Sequence, residues 1–321
     1  MGSHGSELSR VEMLRAIFGG GGAVGRTQLG IGDDAAVIGP GNEPLVWTVD
    51  AQVEGVHFRR DLMTLADVGY RATMAAASDL GAMGASPLGV LSALILPADV
   101  DDDDLRAIAE GQREAADRVG TRVIGGNLAR GRELSITTTV LGEAPRPLGR
   151  AGARAGDAIG IAGPLGLAAA GLAVIERGLA GQTGVEAAVL AYRRPTARVD
   201  AGLLARDVAT AAIDVSDGLA RDVGHVARAS GVCAVLDADA LVTPELVQVA
   251  ALLGADPIEL ALHGGEDYAV VIAVAADAMP AGFVRIGQFE AAGASSVVLR
   301  KGDGARVSIE ERGYDHFKGA P

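Results

Sequence analysis

Ala211-Ala212-Ile213-Asp214-Val215-Ser216-Asp217-Gly218-Leu219 runs an apolar, β-prone segment straight into two carboxylates, a hydroxyl and a glycine. Residues 211–215 read as a strand and residues 217–229 as the helix that follows it. The acids therefore sit at an element end rather than on a polar face. An ionised carboxylate beside apolar chain is costly unless it is paired or bound to a cation. The same placement recurs. Asp33 and Asp34 precede an apolar run, Asp50 closes the strand over 45–49, and Glu54 and His57 follow it directly. Asp79 lies among small residues in Ala77-Ser78-Asp79-Leu80-Gly81, and Glu266 and Asp267 follow Gly264-Gly265. Lys and Arg are too few nearby to neutralise all of these acids, so hard divalent cations with oxygen ligands are the natural compensation.

Taken singly, each of these runs also fits a structural role. Asp33-Asp34 and residues 264–267 fit turns, Asp50 a loop cap, and His57 a packed core histidine. Asp214 and Asp217 fit the N-cap and first turn of a helix. The four acids over 101–104 are the opposite case: they read as a plain solvated helix start, with no chemistry assigned.

Composition narrows the classes. With 321 residues, and about 150 residues per domain, the chain is expected to form two domains. Hydrophobic residues make up 49% and charged residues 21%, a globular balance. Lys and Arg total 28 against 41 Asp and Glu, a formal net charge of -13. That disfavours nucleic acid and anionic membranes as partners. A phosphorylated small molecule stays possible if cations bridge the charges. The single cysteine, Cys233, excludes an internal disulfide framework and a cysteine zinc cage. The longest apolar stretch, residues 159–175, is broken by Gly163, Pro164, Gly166 and Gly171, and residues 1–10 carry no secretory pattern. A cytoplasmic protein is the expectation.

Periodicity predicts helices over 8–18, 64–83, 101–119, 165–177, 198–208 and 217–229. Strands are predicted over 35–38 and 45–49, joined as a hairpin by the turn cluster Gly39-Pro40-Gly41-Asn42. Further strands are expected over 88–96, 122–124, 134–141, 158–162, 211–215, 234–237, 268–274, 284–289, 296–299 and 306–309. Pro145, Pro147 and Gly149 mark a break. The expected domains are residues 1–146 and residues 150–321. The fold class is α+β, with mixed α/β elements. Gly125-Gly126-Asn127 reads as a turn after the strand over 122–124, whose amides, with Arg130 nearby, suit phosphate oxygens. No phosphate-loop motif and no protein-kinase motif set are present.

In order along the chain, eight runs resemble the thiamine-monophosphate kinase family, part of the superfamily of aminoimidazole ribonucleotide synthetase. They are residues 30–36, 49–58, 78–85, 125–127, 150–157, 214–219, 264–268 and 313–317, so the likeness spans nearly the whole chain. The resemblance implies a two-domain aminoimidazole ribonucleotide synthetase-like architecture and ATP-dependent phosphorylation of thiamine monophosphate to thiamine diphosphate. It also implies a homodimer in which the N-terminal halves pair their sheets. By the same likeness Asp34, Thr48, Asp50, Asp79, Asn127, Asp214 and Asp217 surround several magnesium ions. Gly126, Asn127, Arg150 and Ser216 lie at the ATP, and His57, Glu266 and Tyr314 at the thiamine phosphate. Transfer is expected to be direct, with no protein nucleophile. Three positions depart from the family pattern: Asn127 stands where Asp is usual, Val49 where Thr or Ser is usual, and Ala269 where Glu is common. Another ATP-dependent synthetase of the superfamily, or a non-catalytic nucleotide or metal sensor, are the alternatives.

Overall fold

The computed structural model describes residues 6–20, 24–31 and 35–312. The chain forms two compact units, one of Met1–Leu80 with Ala85–Pro145 and one of Gly81–Gly84 with Arg146–Pro321. In chain order the first holds α1 (Glu7–Ile17), β1 (Thr27–Leu29), β2 (Val37–Ile38), β3 (Leu45–Val53), α2 (Leu65–Ala82), β4 (Ser86–Leu96), α3 (Asp102–Arg118), β5 (Val123–Arg130) and β6 (Ser135–Glu143). Its main sheet has the order β3-β6-β4-β5, with β4 and β5 parallel and the other neighbours antiparallel. A parallel pair needs a crossover, and α3 supplies it. Asp101 caps α3 through a capping box with Asp104, so the acidic run over 101–104 starts a helix as expected.

Along β3, Val46 and Gln52 are buried while Leu45, Trp47 and Val49 are exposed. Val90, Leu94, Ile136, Thr138 and Val140 of the neighbouring strands are buried as well. One sheet face is thus core, and alternation fixes the register.

Two expectations fail here. The hairpin between residues 35–38 and 45–49 does not form. β3 pairs over nine residues with β6, while the short β2 pairs with β1. Arg26 holds the β2 end by donating to the Gly39 carbonyl at 2.8 and 3.1 Å, and β2 takes β1 as its partner. Gly125-Gly126-Asn127 is not a turn either, because it lies inside β5. A Cβ at Gly126 would come within 1.9 Å of the Ser92 carbonyl oxygen, so this glycine serves a close strand approach.

The second unit holds β7 (Ala158–Ala162), α4 (Leu167–Glu176), α5 (Glu186–Arg193), α6 (Val199–Ala205), β8 (Ala209–Val215), α7 (Leu219–Ser230), β9 (Val232–Asp237), α8 (Pro244–Leu253), α9 (Pro257–His263), β10 (Ala269–Val274), β11 (Val284–Ala291), β12 (Val297–Arg300) and β13 (Arg306–Ser308). The strands form one sheet in the order β13-β12-β9-β11-β7-β10-β8. β10 is buried at every residue because it is covered on both faces. Ala269, Val271 and Ala273 join the large core with α4, α5, α7, α8 and α9, and Val270, Ile272 and Val274 join a smaller one with α6. Helices α5, α8 and α9 are additions to the sequence reading. Thr243-Pro244 and Asp256-Pro257 start the last two, each a side-chain cap followed by proline in the first turn.

Asp101→Ala removes the acceptor for the Asp103 and Asp104 amides. Urea unfolding is expected to show a loss of about 1 kcal/mol with no change in catalysis.

Candidate active site

In the first unit the helix-facing side of β3 presents Thr48, Asp50 and Gln52 in alternation. Asp79, half-buried on α2, accepts a hydrogen bond from the Thr48 hydroxyl. The structure therefore brings together two of the residues expected at metal. Asp50 accepts from the Ala51 amide at 2.7 Å. Its register partner on β6 is Thr138, Thr138 is opposite Ser92 on β4, and Ser92 is opposite Gly126 on β5. One row across the sheet thus leads from Asp50 to Gly126, three strand spacings or about 14 Å. Ser92 is hydrogen-bonded to the Gln112 amide of α3 at 2.8 Å, and both are buried. A cavity of about 80 Å³ is lined by Gly125, Gly126 and Asn127 together with Ser92, Gln112 and Phe18. Asn127 is exposed in β5, and Val49 points outward on β3.

His57 lies in the turn after β3, where its Nδ1 accepts from the Val53 amide at 3.1 Å. This bond leaves the Nε2 edge as the donor. Glu54 pairs with Arg60 at 2.6 Å, and Arg60 also reaches Asp99 at 2.9 Å. The Glu54 carboxylate holds the Arg60 guanidinium above its ordinary pKa. Asp34 and Tyr314, expected at metal and at the thiamine phosphate, lie outside the described residues.

In the second unit β8 delivers Asp214 to its end, and Ser216-Asp217-Gly218 turn into α7. Gly218 adopts φ 124°, a conformation open to glycine. The turn has no side-chain cap of its own. Instead Asp222 Oδ2 accepts from the amides of Ser216, Asp217 and Gly218, each at 3.1 Å. Burial, and then the charges of Asp214 and Asp217, push Asp222 up to about 7. Asp217 is partly exposed and pairs with Arg221 at 3.4 Å.

The Glu266 loop is clamped onto this turn. The Glu266 amide donates to the Ser216 carbonyl at 2.7 Å and the Tyr268 amide to the Val215 carbonyl at 2.8 Å. Both residues take positive φ, 64° and 48°, a strained choice for non-glycine residues. A Cβ at Gly265 would sit 2.7 Å from the Ser216 oxygen, so glycine is required there. Asp214, Ser216, Asp217 and Glu266 are therefore neighbours in space, although 52 positions separate the first from the last. Asp267 is buried and accepts from the Gly166 amide at 2.7 Å and the Ala168 amide at 3.4 Å, which caps α4 from a distant loop. Burial raises its pKa to about 8. Arg150 is exposed, and its carbonyl accepts from Ser230 at 3.2 Å. Among the described residues no three His, Cys, Asp or Glu side chains form a ready-made metal cage.

Residues 32–144 match the AIR synthase related protein N-terminal domain and residues 154–298 its C-terminal domain. Thiamine-monophosphate kinase of Salmonella typhimurium is 38% identical over 305 residues, covering 90% of this chain and 92% of that protein. The crystal structure of thiamine-monophosphate kinase from Stenotrophomonas maltophilia K279a superposes with a TM-score of 0.81 at 35% identity, covering 95% of this chain and 99% of that one. The chain belongs to the thiamine-monophosphate kinase family. A second similar structure, AaThiL complexed with AMPPCP and TMP, has a TM-score of 0.80 at 30% identity and covers 97% of both chains. The two-domain aminoimidazole ribonucleotide synthetase-like fold is that of the family. In this thiamine-monophosphate kinase family member, Asp222 is the site residue that sequence reasoning missed. Its signal was an acid in the first turn of the helix after Gly218, where it meets exposed amides.

The raised pKa of Asp267 has a defined sign. The folded chain keeps a proton that the unfolded chain gives up above about pH 4, so folding loses stability as pH rises from about 4 to about 8. Asp267→Asn removes the charge and keeps one acceptor oxygen, for the closer Gly166 amide. Urea unfolding at pH 5 and pH 8 is expected to show the variant gaining on the wild type at the higher pH. A constant difference would remove Asp267 from the effect.

Proposed function

We propose that the protein transfers the γ-phosphoryl group of ATP directly to the phosphate of thiamine monophosphate, giving thiamine diphosphate, with magnesium as cofactor and in the cytoplasm. The observation that supports this reading is the clamp of the Glu266 loop onto the Ser216-Asp217 turn, which holds the backbone of Glu266, read as a substrate residue, beside that of Ser216, read as a nucleotide residue. The AaThiL complex with AMPPCP and TMP supports the choice of both reactants.

The donor sets suit a hard cation. Thr48, Asp50 and Asp79 offer oxygen in the first unit, and Asp214 and Asp217 in the second, with Asp34 and Asn127 as further oxygen donors. A site with one or two carboxylates and no closed cage is what magnesium uses when phosphates complete its shell. Magnesium, when bound, supplies the charge neutralisation that lets two phosphate groups meet in an acidic protein.

The chain's own residues do the rest by positioning. Gly126, Asn127, Arg150 and Ser216 hold the nucleotide. Glu266 complements the cationic thiazolium of thiamine, and His57 and Tyr314 hold the thiamine phosphate. His57, its Nδ1 occupied by the Val53 amide, offers Nε2–H to a phosphate oxygen. The acceptor oxygen is already ionised, so neither a protein nucleophile nor a general base is required, and phosphoryl transfer rests on alignment and charge. The protein is expected to act as a homodimer. Leu45, Trp47 and Val49 of β3 are 58%, 71% and 63% exposed on the sheet face away from the helices, and Leu91 and Ile95 extend that face on β4. An apolar sheet face of this kind is typical of an interface.

Two measurements test the proposal. With ATP, magnesium and thiamine monophosphate, Asp217→Ala and Asp50→Ala are each expected to lower thiamine diphosphate formation at least about 100-fold with native circular dichroism. Near-normal activity would take them out of the site. Trp47→Glu is expected to shift the sedimentation coefficient from dimer to monomer, and an unchanged dimer would move the interface elsewhere.

A further inference from the structure

Helix α7 carries a stripe of side chains to which the reaction so far gives no role. After Asp217 come Arg221, His225 and Arg228, at spacings of four, four and three, so they share one helix face. The contacts follow that line. Arg221 Nη1 lies 3.4 Å from Asp217 Oδ2, and Arg228 Nη2 lies 3.1 Å from His225 Nδ1. Arg150 is fastened to the same helix. Ser230, its last residue, donates to the Arg150 carbonyl at 3.2 Å and accepts from the Gly152 and Ala153 amides at 3.1 Å. The His225 ring registers the resulting field: burial, then Arg228, Arg150 and Arg221, lower its pKa, and Glu311 opposes them. Three guanidinium groups around one imidazole stand out in a chain of net charge -13.

Arg228 is in a close ion pair with Glu311. Arg221 pairs with Asp217, a carboxylate that the proposed reaction assigns to magnesium. Arg221 also lies between the two ends of the expected nucleotide track, Ser216 before the helix and Arg150 beside its far end. From Arg221 to Arg228 the helix rises about 10 Å, the scale of a phosphate chain with its sugar. We propose that this face of α7 seats the nucleotide, with Arg221 as the guanidinium that binds its β- and γ-phosphates. The inference rests on the ATP reading and adds to it a residue and a direction for the ligand.

The test is calorimetric binding of ATP and of AMP to the full chain in the presence of magnesium. Arg221→Gln is expected to weaken ATP about tenfold, as for one lost guanidinium–phosphate contact, and AMP less than twofold. Arg221→Lys is expected to recover most of the loss, and Arg113→Gln, on the exposed face of α3, to match the wild type. Equal affinities for ATP in wild type and Arg221→Gln overturn the inference. So does an equal loss for ATP and AMP, which marks a structural role, and so does a wild type that binds no ATP. A wild type that binds ATP through Arg221 but forms no thiamine diphosphate overturns the substrate assignment and leaves this inference standing.

Discussion

Two backbone hydrogen bonds organise the second unit's functional corner: Glu266 N–H to the Ser216 carbonyl and Tyr268 N–H to the Val215 carbonyl. They tie the entry of β10 to the exit of β8, the strands that already pair in the sheet. Holding Glu266 and Tyr268 at positive φ costs on the order of 1–3 kcal/mol each. Around that strain the surroundings are over-determined. Gly265 has no Cβ to strike the Ser216 oxygen, and Asp222 gathers three successive amides on one carboxylate oxygen. Asp267, between the two strained residues, reaches across to cap α4. The strain persists because the loop is held at both ends, and the result is a rigid placement of Glu266 beside Asp214, Ser216 and Asp217.

The acids divide into two kinds. Asp222 and Asp267 are buried, and their oxygens are occupied by backbone amides, so they build turns. Burial raises the pKa of both. Asp217 is more exposed and engages a guanidinium, while Asp50 accepts from the neighbouring Ala51 amide. These are the acids that the proposed reaction gives to a cation. A carboxylate at a strand end is thus ambiguous in sequence, and the count of amides pointing at it separates the two uses.

Much of the fold was legible because the elements follow strong patterns. β10 reads as an unbroken apolar run since it separates two cores, and α3 announces itself by its acids and cap. The hairpin expected around Gly39 failed for a nameable reason: a turn cluster says where a chain bends and nothing about which strand it then meets. Gly125-Gly126 misled in the same way. Two adjacent glycines suggest a turn, but Gly126 is needed where β4 and β5 run close. The candidate site was read from acids at element ends, and the structure brings Thr48 to Asp79 and the Glu266 backbone to Ser216. Asp222 was not, because its partners are backbone amides that carry no residue-specific signature.

The central claim is that the phosphoryl group passes from ATP to thiamine monophosphate in one displacement, on a site that aligns rather than attacks. Stereochemistry reads this most directly. With ATP made chiral at the γ-phosphorus by three oxygen isotopes, the terminal phosphate of the thiamine diphosphate formed is expected to show inverted configuration. Retention would mean two displacements through a phosphorylated protein group and would contradict the account.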